Sequence, residues 1–322
     1  MAADDQLPIK INIKADTKDA SKVIEKLLDT IKAPFSWWSK SREPVTQAKA
    51  EVEATLIRVK AIEPVAEALG ISKEEATGLV FRSEQREYFD RLRQQRNIES
   101  VVQGAIEMAP SSVNDRPVDE DWTADFFDSC KNIGDTEMQT LWSRILAGEV
   151  AEPGSFSKRA LSFVKSLSKA EAQLFTKFCG CLWHHPQHGY LYIRVKDDNI
   201  IGGAGVSFRE LLELGSLGLI SVDDKTALSF NAASSVPVMY YFDEALWLYP
   251  RIKDGQVSIP ALPLTQLGES LSRISGAKPN ENYKAATFEL LSNQNIVMDQ
   301  RPPRPSVSFS VSGPEIDEPR SP

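Results

Sequence analysis

The chain has 322 residues, of which 42% are apolar and 25% charged, enough for two modest hydrophobic cores rather than one large one. Its formal charge of -8 excludes the broad positive field that gathers phosphate backbones, so no tight nucleic-acid partner is expected. Three cysteines do not make a disulfide framework, the opening Met1 to Lys10 carries no export signal, and no apolar run approaches the roughly 18 residues that span a bilayer. A cytoplasmic protein without a cofactor is the expectation.

Residues 1–14 read as a flexible start or a short strand. Val23, Ile24, Leu27, Leu28 and Ile31 then recur at helical spacing until Pro34 stops the helix ahead of Phe35, Trp37 and Trp38. Indole and lysine both suit a lipid interface, so Trp37 and Trp38, beside Lys32 and Lys40, are candidate membrane contacts. Packing of the same aromatics onto neighbouring helices is the alternative. A second helical stretch runs from about Val45 to Leu69, where Gly70 ends it, and a capping box of Ser72 and Glu75 opens a third that reaches Met108. Residues 15–109 therefore read as an amphipathic helix followed by a long helical hairpin. Arg86, Glu87, Asp90 and Arg91 supply i,i+4 pairs of opposite sign, which predicts a solvated face.

The polar break from Pro110 to Pro117 opens a compact helical domain over 110–184. Asp119 caps a helix that carries Trp122, Phe126, Phe127 and Cys130 on one face. Asp135 opens the next, with Met138, Leu141, Trp142, Ile145 and Leu146 forming a core stripe. Trp122, Phe126, Phe127, Met138, Trp142 and Leu146 are the predicted structural core. Pro153 and Gly154 turn the chain into a third helix, and Ser168 with Glu171 caps a fourth. From 185 to 300, strand-like pieces at Tyr190 to Val195, Ala227 to Phe230 and Met239 to Leu248 alternate with short helices. The segments Phe208 to Ile220 and Leu264 to Leu271 look like winged-helix elements. The predicted class is mainly α, with a small winged-helix-like α/β domain at the C-terminal end. Residues 301–322, rich in proline, serine and charge, read as a disordered tail.

Chemistry-bearing clusters are few. Cys179, Cys181, His184, His185 and His188 gather all the histidines and two of the cysteines, but the cysteine spacing is C-x-C and no second ligand pair follows. If the helix continues to Leu182, the two thiols point to opposite sides, and no metal is expected. Asp121, Asp125 and Asp128 share a helix face but suit its positive end without a cation. Gly202 to Gly205 lacks the third spaced glycine and the lysine of a phosphate cradle. Glu149 sits at a helix end, where an acid opposes the dipole. Either it ties down the following turn, or it offers a carboxylate to a partner.

Gln95 to Glu99, Asp121 to Phe127 and above all Asp135 to Glu149 followed by Pro153 to Arg159 resemble an uncharacterised bacterial family known only as a domain of unknown function, DUF2806. The resemblance spans roughly Leu7 to Val297 and brings no catalytic residues with it. The Leu141-Trp142 helix, the proline turn and the Leu167 to Glu171 cap are more distantly similar to the abortive-infection family Abi-alpha, which implies defence against phage. The leading expectation is a non-enzymatic interaction or sensor protein with a protein partner. The alternatives are a protein peripheral to the inner membrane, held by the first helix, and a metal-dependent hydrolase.

Overall fold

The computed structural model describes residues 25–30, 60, 62–110, 113–195, 205–223, 226–233, 236–252 and 255–302. The expectations for 1–14, for Trp37 and Trp38, for Gly202 to Ala204 and for the tail beyond 302 fall outside these residues. Helical stretches at 25–30 and 62–69 precede eight helices: α1 (Lys73–Glu107), α2 (Glu120–Cys130), α3 (Thr136–Ala151), α4 (Lys158–Ser166), α5 (Lys169–Cys179), α6 (Phe208–Ser216), α7 (Gln266–Ser272) and α8 (Glu281–Asn293). Seven strands accompany them: β1 (Trp183–His185), β2 (Gly189–Ile193), β3 (Ala227–Asn231), β4 (Val238–Tyr241), β5 (Glu244–Pro250), β6 (Gln256–Pro263) and β7 (Ile296–Asp299). The chain divides into two compact units, one of residues 1–179 with 265–277, the other of 180–264 with 278–322.

The first unit is helical, and its helix starts are set by side-chain caps. Ser72 and Glu75 close a full capping box on α1, Asp119 accepts the Trp122 N–H at 2.8 Å on α2, and Asp135 accepts the Glu137 and Met138 N–H groups on α3. These bonds satisfy donors that no helix turn can reach. The core is aromatic: Phe126 stacks on Trp122 at 5.2 Å and meets Trp142 edge-on at 5.4 Å, with Met138, Ile145, Leu146 and Phe127 also buried. Ala76 is buried near the start of α1, and the C-terminal third of the helix joins this core through Asn97, Ile98, Val101, Val102 and Ala105. Gly104 lets α1 approach α3 closely, since a Cβ there would stand 2.5 Å from Ser143 Oγ, and that hydroxyl donates to the Val101 carbonyl at 2.9 Å.

The second unit corrects the predicted class. Its strands form one seven-stranded sheet in the order β3-β6-β2-β1-β4-β5-β7, and every pairing is antiparallel. A mainly α chain ending in a small winged-helix-like α/β domain is therefore not what forms; the molecule combines a helical unit with an antiparallel sheet unit. The two supposed winged-helix segments fall in different units, because α6 lies in 180–264 whereas α7 lies in 265–277. The sheet exceeds the strands read from sequence because Pro260 and Pro263 make β6 look like a loop, although it pairs with β3 on one side and β2 on the other. Helix α8 is pinned by Tyr283, wholly buried, whose hydroxyl donates to the Ile193 carbonyl at 2.8 Å and accepts the Ile193 N–H at 2.9 Å. Burial pushes that phenol well above its usual range.

Candidate functional site

The clusters singled out for chemistry take structural positions. Helix α5 ends at Cys179, so the helix does not continue through Cys181, which the Asn280 side-chain amide meets at 3.8 Å. His184 and His185 lie on β1 and His188 in the turn to β2, making this stretch a hairpin and not a plain polar loop. His184 packs on Tyr190 and Tyr240, and the His185 and His188 rings stand 4.6 Å apart. Burial, reinforced by the neighbouring histidines, lowers the His185 pKa. Among the described residues no three His, Cys, Asp or Glu side chains converge as a metal site requires.

Two of the three aspartates of α2, Asp125 and Asp128, form ion pairs that reach α4. Asp125 meets Lys158 at 3.0 Å, and Asp128 meets Lys131 at 2.5 Å and Lys165 at 3.6 Å. Exposed pairs of this kind contribute little to stability.

Glu149 is 2% exposed, and its carboxylate accepts the backbone N–H groups of Gly154 at 2.6 Å and Phe156 at 2.9 Å. It thus closes the Pro153-Gly154 turn in which Gly154 adopts φ +93. Burial raises its pKa, and the two backbone bonds and Arg116 oppose that rise. Arg144, from the same stretch, donates to the Ser275 carbonyl at 2.9 Å and lies flat against Gly276, where any Cβ would collide with the guanidinium. A groove of about 330 Å³ opens beside it, lined by Glu137, Leu141, Arg144, Lys169, Gln173 and Gly276. Lys169 bridges Asp135 at 3.0 Å and Glu137 at 2.9 Å, and Gln173 donates to Glu137 at 2.8 Å. The polar groups of the groove bond one another and do not aim at a common point, which is not the geometry of a nucleophile and its base.

The feature that a scaffold leaves unexplained is the N-terminal part of α1. Phe81, Tyr88, Phe89 and Leu92 are 59, 60, 65 and 50% exposed. At 100° per residue they fall within an arc of about 100°, and Phe81 to Leu92 covers about 16 Å of helix. The charged face lies away from the stripe, with Glu87 opposite it and Arg91, which meets Glu87 at 2.7 Å, along its edge. Sequence reasoning registered those charges and passed over the apolar stripe between them, although its i, i+7, i+8, i+11 spacing was visible. Among the described residues no helix is long and apolar enough to cross a membrane.

The family model described as "Protein of unknown function (DUF2806)" matches residues 81–287, which covers the exposed stripe, the α3 box and most of the sheet. No curated protein and no solved structure matches the chain. With well over half of its length matched, the chain belongs to the DUF2806 family of proteins of unknown function.

Proposed function

We propose that this is a non-catalytic interaction protein that docks through the exposed face of α1, with the α2–α5 core as its rigid support. The observation that carries this reading is the exposure of two phenylalanines, a tyrosine and a leucine on one side of a capped helix whose far third is anchored in the core. Apolar side chains grouped in this way mark contact surfaces, because water penalises them until a partner covers them. The absence of converging nucleophile, base and anion-stabilising groups in the groove beside Arg144 supports a binding role over hydrolysis. The resemblance of the Leu141-Trp142 helix, the proline turn and the Leu167 to Glu171 cap to the Abi-alpha family suggests phage defence as the setting in which the contact is used.

A photo-crosslinking residue at position 89, compared with one at Glu87 on the opposite side, tests the docking face in host cells. Adducts to protein at position 89 and none at position 87 are expected. Equal labelling at both positions, or none at either, would sink the proposal. For the setting, Leu92→Asp should abolish any plaque reduction that the intact chain confers.

A further inference from the structure

The exposed stripe has a charge pattern that selects its partner. Between Phe81 and Arg93 stand four arginines, Arg82, Arg86, Arg91 and Arg93, and three acids, Glu84, Glu87 and Asp90. The segment is close to neutral while the whole chain carries -8. A nearly balanced face offers no long-range pull on an anionic lipid surface or on nucleic acid. It does match a surface with the same balance, provided the two run in the sense that brings opposite charges together.

We propose that α1 pairs with α1 of a second copy of this chain, antiparallel and centred between Arg86 and Glu87, an inference that rests on the docking role of α1. In that register Phe81 faces Leu92 of the second copy, and Gln85 faces Tyr88, each contact occurring twice about the axis. The sequence supplies the rest: with Phe81, Gln85, Tyr88, Leu92 and Gln95 spaced alternately by four and three residues along the seam, Glu84 and Arg91 flank it on one side and Arg82 and Phe89 on the other. Antiparallel pairing sets Glu84 against Arg91 of the second copy, an ion pair, and Arg82 against the face of Phe89, a cation–π contact. Parallel pairing instead places Arg91 next to Arg96 of the second copy, two like charges. The charge order thus favours one direction.

The size of the contact sets its strength. Four large side chains per copy, each already more than half exposed or close to it, bury on the order of 1,000 Å² across the two copies with their flanking stems, at the lower edge of specific interfaces. A dimer that forms and separates in the micromolar range is the consequence.

Sedimentation of the full chain from about 1 to 200 μM should resolve a monomer–dimer equilibrium in that range. Leu92→Asp should weaken it by at least about tenfold while leaving the melting temperature unchanged at a concentration where the parent chain is monomeric. Glu84→Arg and Arg91→Glu should each weaken it, and the double variant should restore it, because the swapped charges meet again only across an antiparallel pair. A chain that stays monomeric throughout, a dimer indifferent to Leu92→Asp, or a double variant that restores nothing would each overturn the proposal. A monomeric chain that is still photo-crosslinked to another protein at position 89 defeats self-pairing but not the docking role. A lowered melting temperature in Leu92→Asp at that low concentration would mean that the face is covered within the chain, and both readings fail.

Discussion

Two stripes of large side chains lie on neighbouring helices of the first unit and have opposite fates. Met138, Trp142, Ile145 and Leu146 on α3 are all buried, with Trp142 fully enclosed. Phe81, Tyr88, Phe89 and Leu92 on α1 have nearly the same periodicity and stand in solvent. Helical spacing states which residues share a face, but nothing in the spacing states what that face meets. For α3 the cover is supplied within the unit, by Phe126 and by the far end of α1. For the near end of α1 a surface outside the unit is the proposed cover.

The largest test of this contrast is Trp142→Ala. Removing an indole enclosed by Phe126 and its neighbours leaves a cavity that a close-packed helical core cannot fully close, so a loss of about 3 to 5 kcal/mol is expected in chemical denaturation. The Trp142 indole N–H has no hydrogen-bond partner among the described residues. Trp142→Phe, which keeps the ring and removes that donor, should therefore cost much less than the alanine. If the two variants lose equal stability, packing is not what Trp142 contributes.

Glu149→Ala comes next. It leaves the Gly154 and Phe156 N–H groups without their acceptor inside the turn, which should cost about 1.5 to 3 kcal/mol in the same measurement. Glu149 also predicts a pH dependence. Because burial raises its pKa in the folded state, the unfolded chain gives up this proton first as pH rises, and the folded state binds more protons over the intervening range. The stabilising contribution of the neutral form is complete below the ordinary carboxylate range and is lost as pH climbs through the raised folded value. Wild type should therefore lose stability relative to Glu149→Gln as pH increases from acid toward neutral; a gap that moves the other way would show that the two backbone bonds outweigh desolvation.

Gly104→Ala probes the seam between the two helices. A methyl group there meets Ser143 Oγ at a distance that real Cβ contacts do not reach, so α1 and α3 must separate or the hydroxyl must leave its bond to Val101. Overpacking of this kind costs about 1 to 3 kcal/mol, even though alanine is the better helix former. A neutral or stabilised variant would mean that the far third of α1 is not firmly anchored, and with it the support for the exposed part would weaken.

The caps were the most legible part of the fold, since Ser72 with Glu75, Asp119, Asp135, and Ser168 with Glu171 each state a helix start through local chemistry. The sheet was much less so. Strands β1 and β7 have three and four residues, too few to show an alternation, and β6 contains two prolines that imitate a loop. Pairing partners such as β5 with β7 are distant in sequence, and no local pattern encodes them. At the candidate site the difficulty was one of kind. The Cys-His stretch and the aspartates drew attention because their side chains ligate metals elsewhere, yet Asp125 and Asp128 pair with Lys158 and Lys165, and His184 packs on Tyr190 and Tyr240. Phe81 to Leu92 drew no such attention, and only the exposure of its large side chains singles it out.

The smallest expected effect on stability is therefore the most diagnostic one. Phe81→Ser removes a large aromatic ring from a helix, a change that in the α3 stripe would be severe. At position 81 the ring is 59% exposed, and phenylalanine and serine have similar helix propensities, so the melt should move by no more than about 0.5 kcal/mol. Ile98→Ala, seventeen residues along the same helix but turned into the core, should cost about 2 to 5 kcal/mol even though it removes fewer atoms. Measured by chemical denaturation at a concentration where the chain is monomeric, the two variants separate the anchoring third of α1 from the docking part. At a concentration where dimer predominates, Phe81→Ser should also lower the midpoint, because a contact made only by the folded chain adds to apparent stability by mass action. A Phe81→Ser variant as damaged as Ile98→Ala at low concentration would place position 81 in the core after all and remove the contrast between the two stripes.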